Sequence, residues 1–287
     1  LAREQNLEEL ISVEPVPVDF NISLSGGEYT LYLPGFYESN QSYRLTISAD
    51  LKDRWGGRLN EPFIRSFRVS DLEPQLAIPM LWAAGQVIYS LPGERSLQAI
   101  AANLSSLTVQ FAPVSVEQMW RDYHLPSDVR EFQPEQTWMQ QLSMRRNDSQ
   151  TIEIGLTPDG SNLAPGLYHY RISSPQIDSR NADIDFWLVV SQVQLNLKAS
   201  KDEIFVWAAD GENLSVVPGK SVSVYDADFE LTGASVTDAS GIARIQQSSD
   251  SSQRGNILAV IGETGDEDFS AGFSFWDEGI QPWDFRL

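Results

Sequence analysis

Apolar and polar positions along this chain alternate mostly with a period of two. Ser221 to Tyr225 alternates strictly, with Val222 and Val224 on one face, after a turn at Pro218-Gly219. Ile204 to Ala209 is apolar on both faces, as expected of a strand buried on both sides. Asp238 to Gly241 is a turn cluster, and Ile242, Arg244 and Ile245 resume an extended segment.

Further strands are predicted over residues 28–33, 42–47, 86–89, 107–111, 151–156, 166–172, 184–190, 257–261 and 269–276. Phe63 to Val69, after Pro62, reads as an edge strand, preceded by a loop at Asp53 to Gly57 whose two glycines permit positive φ. A helical period shows at Ala2 to Leu10 and at Ser115 to Tyr123, where Ser115 is the N-cap and Gln118 holds the capping-box position. Residues 124–144 are weakly patterned and read as loop or part helix. The fold class expected is all-β, built of tandem antiparallel β-sandwiches.

A chain of 287 residues with 41% apolar content can bury several cores. The polar, proline-ended stretch Asp71 to Pro74 marks a first boundary. Three units are expected, over residues 1–74, 75–192 and 193–287, the first of them shortened at its N-terminus. The third carries sixteen acidic residues against six basic ones.

The net charge of −20 repels a phosphate backbone and anionic lipid, so neither nucleic acid nor a membrane surface is an expected partner. The absence of cysteine removes disulfides, thiolate catalysis and cysteine-ligated zinc. No run approaches the roughly 18 apolar residues of a membrane helix, and no signal-peptide core opens the chain. Since it begins at Leu1, we read it as part of a longer protein whose signal or lipid anchor lies upstream.

No residue stands out as catalytic, cofactor-binding or metal-binding, and the chain is expected not to be an enzyme. His124 and His169 have no partner that sequence can place and read as structural. Asp226, Asp228 and Glu230, and the turn Gly265 to Asp268, resemble oxygen-rich calcium loops but lack EF-hand spacing, so a solvated acidic face is the simpler reading. The eight tryptophans fit cores and interfaces, with Trp55 the expected exposed one; a sugar-stacking platform is the alternative. Asn21, Asn40, Asn103, Asn147 and Asn213 open sequons that this richness in Ser and Asn explains by chance.

Three landmarks occur in an order that resembles the N-terminal portion of bacterial α2-macroglobulins. They are Asn103 to Phe111 followed by a short helix, Leu163 to Tyr168, and the series Leu188 to Val193, Val206-Trp207, Val222 to Tyr225 and Thr237 to Arg244. The first unit, with its Tyr-bearing strand and Asp53 to Gly57 loop, is similar to a bacterial Ig-like domain. The resemblance implies one Ig-like and two macroglobulin-like domains in a periplasmic or envelope protease-trapping protein. Implied partners are proteases, met through the full-length protein, and cell-wall synthesis proteins of the periplasm. It also implies a scaffold role here, because the family's reactive thioester needs a Cys-x-Glu-Gln run. A stalk or adhesin binding carbohydrate or calcium is the competing expectation.

Overall fold

The computed structural model describes residues 1, 5–24, 30–81, 86–125, 132–177, 184–200, 202–246 and 256–274. It falls into two compact units, Leu1–Glu73 with Arg145–Asp148, and Pro74–Met144 with Ser149–Leu287. Its strands and two short helices confirm the all-β class.

The first unit contains helix α1 (Leu7–Leu10) and strands β1 (Ile11–Glu14), β2 (Ser23–Leu24), β3 (Leu31–Tyr32), β4 (Ser42–Ile47) and β5 (Phe63–Arg68). Strands β1, β4 and β5 form an antiparallel sheet in that order, and β2 pairs with β3. Of the helix predicted at Ala2 to Leu10, the described residues form only α1, which starts after the N-cap Asn6, and of the strand predicted at 28–33 they form only Leu31–Tyr32; residues 2–4 and 28–29 lie outside the described residues. The core is small: Ile11, Val13 and Tyr43 are buried, and Tyr43 stacks on Phe67 at 5.6 Å and meets Tyr37 edge-on at 5.0 Å.

The Asp53 loop departs from expectation in one respect. Only Gly56 takes a positive φ (+86°). At Gly57 a Cβ would stand 2.8 Å from Asp53 Oδ2 and press on the carboxylate whose Oδ1 accepts from the amides of Trp55 and Gly57.

The second unit holds two sandwiches. The first is built from β6 (Gln75–Ala77), β7 (Gln86–Ser90), β8 (Ser96–Ala102), β9 (Ser106–Pro113), α2 (Val116–Tyr123), β10 (Gln136–Gln141), β11 (Gln150–Gly155), β12 (Gly166–Ser173) and β13 (Ile184–Val190). A five-stranded sheet, β10-β9-β12-β13-β7, packs on a three-stranded one, β11-β8-β6. Alternate residues such as Leu107, Val109 and Phe111 on β9, and Phe186, Leu188 and Val190 on β13, fill the space between them.

Strand β10 corrects the expectation of loop or helix over 124–144. Its sequence, Gln-Thr-Trp-Met-Gln-Gln, is mostly polar and mostly exposed, and its register is set by pairing with β9. Helix α2 forms with Ser115 as the predicted N-cap, its Oγ accepting from Gln118 N at 3.1 Å, but the Gln118 amide donates to Asp122 at 2.9 Å instead of completing a capping box; Glu117 pairs with Arg121 at 2.9 Å.

The second sandwich comprises β14 (Val193–Ala199), β15 (Glu203–Asp210), β16 (Ser221–Tyr225), β17 (Leu231–Val236), β18 (Ile242–Gln246), β19 (Ile257–Ile261) and β20 (Ser270–Ser274). Sheet β14-β15-β18 faces sheet β17-β16-β19-β20 across a core that includes Ile204, Val206, Val222, Val224, Ala243 and Ala259. Strand β15 is not buried on both faces as expected: Trp207 on its outer face is 37% exposed. The last predicted strand is described to Ser274, and Trp276 lies outside the described residues.

Candidate functional site

Between these two sandwiches lies a third apolar cluster, the best-formed candidate for a working part. The five-stranded sheet has a second apolar face, which Leu167, Trp187 and Val189 supply. Against it pack Met119 and Trp120 of α2, and Leu258, Val260, Phe269 and Ala271 from the β19-β20 side of the second sandwich. This explains why all five residues of β19 are buried: Ile257, Ala259 and Ile261 face one core, Leu258 and Val260 the other.

Polar ties reinforce the joint. Trp120 Nε1 donates to the Asp226 carbonyl at 2.7 Å, Tyr89 Oη to that of Ala271 at 3.1 Å, and Ser191 Oγ to that of Phe269 at 2.6 Å. Gly265 N donates to Pro165 O at 2.8 Å. Only Ser191 and Gln192 connect β13 to β14. The joint is therefore both apolar and hydrogen-bonded, with a two-residue link between its halves.

Both histidines belong to this region. His169 Nε2 lies 2.9 Å from Asp185 Oδ1, and Arg171 reaches Asp185 Oδ2 through Nε at 3.1 Å and a terminal nitrogen at 3.0 Å. The strand register sets Arg171 opposite Asp185 and His169 opposite Trp187, whose rings stack at 5.3 Å. Burial pushes the Asp185 carboxyl up, but the hydrogen bonds and charges of His169 and then Arg171 outweigh it and hold the pKa below 3.8. The sequence offered no signal for Asp185, because the pairing depends on register between strands.

His124 caps α2, with Nδ1 at 2.7 Å from the Trp120 carbonyl and its ring edge-on to Trp120 at 4.7 Å. Both histidine rings are thus held by hydrogen bonds and ring contacts within the packing. Burial likewise raises the pKa of Tyr170, whose phenol donates to Leu156 O at 2.7 Å.

The acidic loops spend their carboxylates locally. Asp226 Oδ1 accepts from the amides of Asp228 and Glu230 at 3.0 and 2.9 Å, Asp266 Oδ2 accepts from Glu263 N at 2.9 Å, and Asp268 pairs with Lys220. Among the described residues, no group of three or more His, Asp or Glu could hold a metal ion. A shallow groove of about 470 Å³, lined in part by Gln192, Asp210, Lys220 and Asp268, sits beside the joint.

The Thr237 to Gly241 turn is structural as well. Asp238 Oδ1 accepts from the Ser240 and Ile242 amides at 2.8 and 3.1 Å, and Thr237 Oγ1 donates to Val217 O at 2.8 Å. Gly241, at φ +75°, has room for no Cβ, which would fall 2.6 Å from the Ala208 carbonyl. Trp55 is the exposed tryptophan expected, at 77%, with the Arg54 guanidinium 4.6 Å from its ring centre. Trp120 and Trp187 are core residues; Trp82, Trp276 and Trp283 lie outside the described residues.

No family model matches the chain, and no curated protein matches it. Solved structures do. The Escherichia coli alpha-2-macroglobulin fragment spanning domains MG0-NIE-MG1 superposes with a TM-score of 0.54 at 16% identity, over 96% of this chain and 88% of that one. A mutant of the Salmonella alpha-2-macroglobulin gives 0.63 at 12% identity, over 100% of this chain and 17% of that one. The Escherichia coli fragment spanning NIE-MG1 gives 0.52 at 13% identity, over 72% and 99%. The chain therefore shares the fold of the N-terminal region of bacterial alpha-2-macroglobulins, and it spans about a sixth of the Salmonella protein.

Proposed function

We propose that this chain is a non-catalytic scaffold, the N-terminal arm of a protease-trapping protein of the bacterial alpha-2-macroglobulin type. The observation that carries the reading is the match over 96% of the chain to a fragment of three successive domains, MG0, NIE and MG1. In this reading residues 1–74 are the Ig-like domain, and 75–192 and 193–287 the two macroglobulin-like domains. Proteases are partners of the full-length protein, which works in the periplasm or cell envelope beside cell-wall synthesis proteins. Among the described residues no helix is long and apolar enough to cross a membrane. The chain has no cysteine, so a covalent thioester trap would draw its reactive group from outside these residues.

The joint gives the arm its mechanical role. An apolar, hydrogen-bonded contact makes the two sandwiches behave as one body, which carries load between its ends without bending. When a protease cleaves elsewhere in the trap, such a body moves as a unit rather than absorbing the change.

The test is a trapping assay on the full-length protein encoded by the same reading frame. A trapped protease keeps its activity on a small peptide substrate and loses it on a large protein substrate. The wild type should show that split, and a Leu258→Asp variant, which puts a charge into the joint, should weaken it. A full-length protein that shields no protease would remove the proposal.

A further inference from the structure

The stretch on which the chain leaves the first unit is tied down by a segment from far along the sequence. Residues Arg145–Asp148, from the turn between β10 and β11, belong to the same compact unit as Leu1–Glu73. Asp71 meets two of them: its carboxylate pairs with Arg146, and its Oδ1 accepts from Asn147 Nδ2 at 2.7 Å. Leu72 N in turn donates to Asn147 Oδ1 at 3.0 Å. One side-chain amide therefore grips two successive residues, donating to the side chain of the first and accepting from the backbone of the second.

Three other aspartates keep their bonds inside their own turns. The carboxylates of Asp53, Asp226 and Asp238 each accept from amides two and four residues further on. Asp71 does the opposite, with side-chain partners 75 and 76 residues away. The turn is also built to present these partners. Asn147 takes φ +59°, a left-handed conformation that asparagine tolerates better than most residues, and Arg145 pairs with Asp148 at 2.8 Å. An ion pair as exposed as that of Asp71 and Arg146 holds little by itself, so the Asn147 bonds supply most of the grip.

We propose that Arg145–Asp148 is a strap on the linker: engaged, it holds Asp71 and Leu72 in one conformation, and released, it leaves the Asp71–Pro74 stretch a free tether. Release is cooperative, because Asp71, Leu72, Arg146 and Asn147 hold one another and the loss of one contact loosens both the linker and the turn.

The experiment uses the full 287-residue chain and reads both sides of the strap after a change on one. Asp71→Ala removes the partner of Arg146 and Asn147 while leaving the Leu72 amide and the Arg145-Arg146 sequence in place. Hydrogen–deuterium exchange read by mass spectrometry follows the Leu72 amide, and brief trypsin treatment follows cleavage after Arg145 and Arg146. Both rates should rise about five- to tenfold, as expected for losing an exposed ion pair together with one charge-assisted hydrogen bond. Glu73→Ala, the same charge change two residues on, should move neither.

Rates unchanged by Asp71→Ala would overturn the proposal, and so would equal changes from Asp71→Ala and Glu73→Ala, which would make the effect one of general charge. A rise on one side alone would leave linker and turn independent and overturn it as well. Faster exchange throughout β1, β4 and β5 would do the same, because Asp71 would then support the fold of the whole unit rather than a catch.

Discussion

Trp120 is the residue on which the joint can be tested most directly. It is fully buried, stacks on Phe273 at 5.9 Å, and donates from Nε1 to the Asp226 carbonyl of the second sandwich, although it belongs to α2 of the first. A tryptophan buries about 200 Å², which at about 25 cal/mol per Å² is about 5 kcal/mol of transfer free energy. Measured Trp→Ala losses run about 3–5 kcal/mol, since the site relaxes in part. The hydrogen bond adds about 1 kcal/mol, offset because the Asp226 carbonyl also accepts from Phe229 N. We expect Trp120→Ala to cost about 4 kcal/mol in all. For a cooperative unit of roughly 200 residues that is a fall of about 8–16 °C in Tm.

The location of the loss matters more than its size. By scanning calorimetry the wild-type Pro74–Ser274 region should melt in one transition, and Trp120→Ala should split it into two as the sandwiches uncouple. Trp120→Phe keeps most of the buried area and should cost only about 1 kcal/mol, with one transition retained. Tyr170→Phe, in the middle of the first sandwich core, should destabilise without splitting. A Trp120→Ala protein that melts in a single transition within about 1 kcal/mol of wild type would refute the rigid joint.

Three other outcomes follow from the same contacts. Asp185→Asn leaves the buried His169 and the half-buried Arg171 without their carboxylate and should cost about 3 kcal/mol in a urea melt. Because the folded-state pKa of Asp185 lies below its ordinary 3.8, its contribution is full above that value and is lost as pH falls through the lowered one. Wild type should therefore lose Tm more steeply than Asp185→Asn on acidification below about pH 4. Gly272→Ala would set a Cβ 2.6 Å from Leu195 Cβ and 2.9 Å from the Leu195 carbonyl, and should cost about 1–3 kcal/mol by thermal melt. Calcium at about 1 mM should leave Tm unchanged, because the carboxylates of Asp226 and Asp266 already serve backbone amides; a rise would show a site in those loops.

How far the fold was legible can be judged strand by strand. Strands such as β16 could be read because Val222 and Val224 face one core while Ser221 and Ser223 do not. Strand β10 could not, since its only large apolar residues, Trp138 and Met139, are adjacent rather than alternating and its order comes from pairing with β9. The His169, Asp185 and Arg171 cluster was hidden for a related reason. Asp185 lies fourteen residues beyond Arg171 and meets it only through the β12-β13 register.

The joint itself shows where pattern reading stops. Strands β13, β15 and β19 all carry apolar residues on both faces, yet only β13 and β19 have a second face that is buried. The difference lies on the neighbouring strands. Leu258 and Val260 of β19 stand opposite Phe273 and Ala271, so the second face is apolar across two strands and can close on another sheet. Phe205 stands between Lys198 and Arg244, and Trp207 has Asn196 on one side, so that face stays in water with Arg244 5.1 Å above the Phe205 ring. One strand's pattern states that a second face is apolar. Whether that face becomes a joint depends on its cross-strand partners, and those are set by a register that a single strand does not encode.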